Sequence, residues 1–268
     1  MRTSVLAAGG VALALALSAC GGDSNDTGLP IGNGDGGSGQ FQDLSSLIAS
    51  AQEQTNKSRS SNFTMEMDMA GTKMQAQGQG VYAGDDTAMT MTMDMQGMSM
   101  EVIFVDKTMY MKMPDNMNPD PSKPWVKMTA DHPAMAGQNF DQMTEQSDPT
   151  KTLEQLQQAG GEIKSTKQTQ LDGQQVTQYT VELDLSKAGA MLGDESAAAA
   201  IPEGTLIPVE LYMNGDNLPV RIEMNMDSLA QSAGAPGGMK MVMTYSDWGT
   251  AVDIQAPPAD QVGEMPSY

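Results

Sequence analysis

The segment Phe63-Thr64-Met65-Glu66-Met67-Asp68-Met69 sets Phe and Met against Thr, Glu and Asp in strict alternation. Successive side chains of a strand point to opposite faces, so this stretch describes a strand with one apolar and one polar side. The pattern returns further along. Met89, Met91, Met93 and Met95 alternate with Thr90, Thr92 and Asp94, and Met98, Met100, Val102 and Phe104 share the next face. Met109, Met111 and Met113 follow, then Val126 and Met128. Gly71, Gly84-Asp85-Asp86, Gln96-Gly97 and Asp106-Lys107 mark the turns between these runs. Two-faced strands joined by short turns make an antiparallel meander.

Working outward, the period changes. Leu44, Leu47, Ile48 and Ala51 recur at helical spacing, and Asp43 stands where an N-cap belongs. Asp148-Pro149 reads as N-cap and first helical residue, Leu153 and Leu156 as the buried stripe, and Gly160-Gly161 as the stop. Strands are predicted over 162–170, 174–185, 205–213, 217–226 and 239–246. Asn214-Gly215-Asp216 signals a hairpin. The Gly/Ala/Pro stretch 232–238 reads as a looser hairpin loop, and the Ala-rich stretch 186–200 reads as helical. The fold class is α+β: a large, curved, mostly antiparallel sheet with a few helices available to cover one face.

Composition narrows the function. The chain carries 34 acidic and 14 basic residues, a net charge of -20. Such a surface does not hold nucleic acid by counterion release. The 1 cysteine and 1 histidine leave little for a nucleophilic triad or an imidazole–thiolate metal centre. His132 lies in Asp131-His132-Pro133, a loop-like setting, and the expectation is a non-enzymatic protein without a cofactor.

The cysteine has a different use. Leu17-Ser18-Ala19-Cys20 closes an apolar run, Val11 to Leu17, that follows Arg2. A basic start, a short apolar core and small residues before a cut site form a signal peptide. With cysteine at the cut, the pattern resembles a bacterial lipobox. Residues 1–19 then form the signal, Cys20 carries the lipid anchor, and 20–42 form a Gly/Asp/Ser-rich tether. The domain is 43–268. Localisation follows as the extracytoplasmic face of the cell membrane.

The apolar strand face is rich in methionine, 26 residues in the whole chain, while aromatic residues make up 4%. It is either a plain core or the wall of a cavity. Methionine lines adaptable surfaces, rings are scarce, and Met74, Ala76, Gly78, Gly80 and Tyr82 put small residues on one face where they leave room. Alternation nominates Phe63, Met65, Met67, Met91, Met93, Phe104, Met111 and Val126 as cavity wall. A thioether site for Cu(I) is an alternative, although same-face residues two apart along a strand are separated by about 6.6 Å. A ligand-free structural or adaptor lipoprotein is the third reading.

Further residues carry a family resemblance: Lys123-Pro124-Trp125-Val126-Lys127, Leu171-Asp172-Gly173 with Thr177-Gln178-Tyr179-Thr180-Val181, and Leu218-Pro219-Val220-Arg221. Tyr245-Ser246-Asp247-Trp248-Gly249, Val252-Asp253-Ile254 and Ala256-Pro257-Pro258-Ala259-Asp260 complete it. With the lipobox and the helix-to-strand start, their order over 43–262 resembles the actinobacterial LppX/LprAFG-like lipoproteins, which have a LolA-like fold. The resemblance implies a half-open β-barrel with helices over its concave face and an apolar cavity. It also implies binding or transfer of acylated lipid or lipoglycan at the membrane. This chain uses methionine where those relatives use more Leu, Val and Ile.

Overall fold

The computed structural model describes residues 40–69, 71–95, 97–112, 114, 120–129, 148–187, 201, 204–232 and 238–264. Cys20 with its flanking segment, His132, Met113, the Ala-rich stretch beyond 187 and residues 233–237 of the loop lie outside them.

The first helix, α1 (Leu44–Ser58), starts where the Asp43 carboxylate accepts from the Ser46 backbone N–H at 2.8 Å. It ends where Arg59 turns left-handed at φ 65°. The first hairpins follow: β1 (Ser60–Met69), β2 (Thr72–Val81), β3 (Ala88–Met95), β4 (Met98–Val105), β5 (Thr108–Lys112) and β6 (Trp125–Met128). Helix α2 (Pro149–Gln158) begins at Asp148, whose Oδ1 accepts from the Thr150 N–H at 2.8 Å, with Pro149 in the first turn as the sequence indicates. Then come β7 (Glu162–Leu171), β8 (Gln174–Asp184), β9 (Leu206–Met213), β10 (Pro219–Asn225), a short α3 (Asp227–Ser232), β11 (Met239–Ser246) and β12 (Val262–Glu264).

All twelve strands form one sheet in the order β12-β6-β5-β4-β3-β2-β1-β11-β10-β9-β8-β7. Every neighbouring pair is antiparallel except β12 with β6. The architecture is the α+β half-open barrel: a wide curved sheet with an open seam and two longer helices on one face. Turn chemistry sets the register. Asp106 and Lys107 sit at φ 52° and 55°, and Asp172 and Gly173 at φ 51° and 84°. These are two-residue loops with positive φ at both positions, which match the twist of the strands they join. Gly71 and Gly97, at φ 86° and 83°, serve the same end in the β1–β2 and β3–β4 hairpins.

Two elements escape the sequence reading. The three residues of β12 are too few to show a period, and α3 fills the approach to a loop expected from composition. Asp227 ties that helix to the next strand by accepting from the Met239 N–H at 3.0 Å.

The core lies on the helix-covered face. Leu44, Leu47 and Ile48 of α1 and Leu153 and Leu156 of α2 pack with Val181, Val209, Leu211, Ile222 and Tyr245 of the second half of the sheet. Fully burying such side chains stabilises by about 1.5–3 kcal/mol each. At its end, Tyr82 and Tyr245 flank Trp248 with ring centroids 5.9 and 6.0 Å away. The Trp248 indole donates to the Pro219 carbonyl at 3.0 Å, and the Tyr82 hydroxyl meets Ser61 Oγ at 2.9 Å. Burial pushes both phenols well above their ordinary range. A second cluster, Val102, Phe104, Met109 and Met128, forms on β4–β6 and contains no helical residue.

One expectation needs correcting. Gly78 and Gly80 do not leave room on β2. A Cβ at Gly78 would meet the Phe63 ring at 2.7 Å and the Thr90 carbonyl at 2.1 Å, and one at Gly80 would meet the Tyr82 ring at 2.9 Å. These glycines are cradles for aromatic rings. Gly78→Ala is therefore expected to destabilise the fold by about 1–3 kcal/mol through overpacking, read as a lower denaturation midpoint. An unchanged midpoint would contradict the close approach.

Candidate functional site

Because side chains alternate along each strand, register decides which residues stand side by side across the sheet. Met67 of β1 pairs with Met74 of β2, Met74 with Met95 of β3, and Met95 with Met98 of β4. In the other direction Met67 pairs with Met241 of β11, and Met241 with Met224 of β10. Six adjacent strands thus carry methionine at one level. The next level reads Ile222, Met243, Met65, Ala76, Met93 and Met100. The level beyond brings Phe63, Gly78, Met91, Val102, Met111 and Val126 into line.

A cavity of about 200 Å³ lies at the first two levels, on β1–β4, between the two packed clusters. Met65, Met67, Met74, Met93, Met98 and Met100 line it, with Ala76 and Pro114. Gln75, Asp94 and Ser99 also border it. Alternation turns their side chains to the opposite face, so they contribute backbone. The wall is therefore thioether and hydrocarbon. Among the described residues the wall carries no nucleophile and no acid–base pair. Among the described residues there is also no group of three or more His, Cys, Asp or Glu that could hold a metal ion.

The cavity exists because of Ala76. Its lateral neighbours are Met65 and Met93, its same-face neighbour along β2 is Met74, and Met67 stands diagonally across. One methyl among four long side chains leaves a hole that a fifth methionine would fill.

The eight residues nominated from alternation all fall on this face, but in different surroundings. Met65, Met67 and Met93 line the cavity. Phe63 belongs to the helix-covered core and Met91 packs against it. Phe104 is part of the second cluster, with Met111 against it, and Val126 is buried on β6. Met74, Ala76, Met98 and Met100, which alternation places on the same face, and Pro114 line the cavity too, although they are not among the eight. The signal that finds them is the turn positions, since two-residue loops fix which methionine faces which.

No protein-family model and no curated protein matches the chain. Among solved structures, the Pseudomonas aeruginosa MucA/MucB complex matches at 11% identity and TM-score 0.36, over 81% of this chain and 60% of that one. A crystal structure of MucB matches at 13% identity and TM-score 0.39, over 83% and 62%. A DUF1329 family protein from Desulfovibrio piger matches at 9% identity and TM-score 0.30, over 78% and 95%. This chain spans about three fifths of the length of the MucB chains. Similarity at this level does not say what the chain binds.

Exposure orders the thioethers. Met98 is 48% exposed and Met69 43%, whereas Met243 is buried at 6%. Oxidation follows access. Limited peroxide followed by peptide mapping should find sulfoxide at Met69 and Met98 well before Met243. Equal rates would mean the sheet face is open to water throughout.

Proposed function

We propose that this chain is a membrane-anchored lipoprotein that binds or transfers an acylated lipid or lipoglycan in the cell envelope. The observation that carries the reading is the methionine-walled cavity on an apolar sheet face only partly covered by helices. An acyl chain gains roughly 0.8 kcal/mol for each methylene it buries and asks for no directional partner. A wall of unbranched, polarizable side chains adapts to such a guest without fixed polar groups. The resemblance to LppX/LprAFG-like lipoproteins supports the same reading, as does the absence of a nucleophile or acid–base pair in the cavity wall. The protein works without catalysis. Its partners are the lipid guest and the membrane from which the guest comes.

The anchor belongs to this proposal. Cys20, thioether-linked to diacylglycerol and freed of residues 1–19, keeps the domain at the extracytoplasmic face of the membrane. A tether of about 20 Gly/Asp/Ser-rich residues gives a reach of roughly 25 Å. The acidic surface keeps the domain off anionic headgroups, so the lipid anchor alone sets the distance. Cys20→Ala should move the chain from the membrane fraction to the soluble fraction. Retention in membranes would overturn the anchoring.

The guest is tested on that Cys20→Ala chain. Native mass spectrometry should detect co-purifying acyl lipid, released on denaturation. Ala76→Phe fills the hole and should abolish the bound lipid while lowering stability by about 1–3 kcal/mol at most. Repeated preparations free of lipid would defeat the reading. So would lipid undiminished by Ala76→Phe.

A further inference from the structure

The methionines around Ala76 are separated by less than their spacing along one strand suggests. Same-face residues on a strand lie about 6.6 Å apart, but adjacent strands are only about 4.8 Å apart. Met65 and Met93 flank the Ala76 strand from either side, so about 10 Å separates their backbones, with the Ala76 methyl between them. The unbranched side chains on either side are flexible enough to lean toward that methyl. Met74, next along the Ala76 strand, and Met67, diagonally placed, border the same space. All four line one cavity.

We propose that Met65, Met67, Met74 and Met93 form a Cu(I) site over Ala76. Four neutral, soft sulfur donors around one point select a soft monovalent cation and offer little to Zn(II), Mg(II) or Ca(II). A monovalent charge also costs less to bring into an apolar wall than a divalent one. The net charge of -20 raises the local concentration of cations at the surface. The site uses no group that must lose a proton. Its affinity is therefore independent of pH over the range where histidine, thiol and carboxylate sites weaken. The inference rests on the same cavity as the acyl reading but not on that reading: Cu(I) needs the sulfur, which leucine in place of methionine removes while keeping the wall apolar.

The experiment is an anaerobic titration of the Cys20→Ala chain, stripped of co-purified lipid, with Cu(I) against a chromogenic Cu(I) chelator, at neutral and mildly acidic pH. The expected result is a single equivalent withheld from the chelator, equally at both pH values. In a chain carrying Met65→Leu, Met67→Leu, Met74→Leu and Met93→Leu that step should be lost. Ala76→Leu, which removes no sulfur and occupies the meeting point, should lose it too and guards against misfolding of the multiple variant. Three results overturn the site: no competition with the chelator, a step that survives Ala76→Leu, or one that weakens with acid. A Cys20→Ala chain that withholds Cu(I) from the chelator but never co-purifies lipid would count against the acyl reading alone.

Discussion

A sheet twelve strands wide with one apolar face needs cover, and the two longer helices supply only part of it. Helices α1 and α2 lie over β8–β11 and the start of β1, where Leu47, Leu153 and Leu156 are fully buried. On β4–β6 a second cluster forms from strand residues. Between the two, the face is lined by thioethers around a hole. Leaving that area to water is unfavourable in proportion to its apolar surface, so the fold creates a place for something else to sit. The other features follow from this imbalance between sheet width and helical cover.

Methionine changes what the imbalance means. Leu or Val at the same positions would be stiffer and would present a wall of fixed shape. Methionine can collapse into an empty hole or withdraw around a guest, so one surface serves an empty and a filled state. Its sulfur adds a chemical option that leucine lacks. Rows of lateral neighbours at the 4.7–4.9 Å strand spacing concentrate that option on one face. The aromatic end behaves differently. Phe63 and Tyr82 seat their rings on Gly78 and Gly80, and the Tyr82–Tyr245–Trp248 group closes the face with close-packed rings.

Much of this is legible in the residues. Period-two alternation identifies the faces of β1, β3 and β4, and helical spacing after Asp43 and Asp148 identifies α1 and α2. Turn residues give the loops, down to the positive φ of Asp106 and Lys107. What alternation cannot supply is the lateral neighbour. It names a face, whereas the cavity depends on which residue on the next strand stands opposite. Met74 and Ala76 belong to the site for that reason, and Phe104 and Val126 pack elsewhere on the same face. Small residues mislead in the same way. Ala76 leaves room, but Gly78 and Gly80 are cradles for rings that come from a neighbouring strand and from Tyr82 itself. Nor can periodicity reveal β12, whose three residues owe their strand conformation to parallel pairing with β6.

The central claim is that the hole over Ala76 shelters a guest and is not filled by the protein's own side chains. A crystal structure of the purified chain, grown without added lipid, tests it most directly. The account predicts elongated density, not attributable to protein, running between Met67 and Met93 over Ala76. Contradiction would be the four thioethers packed against one another there with no space between them.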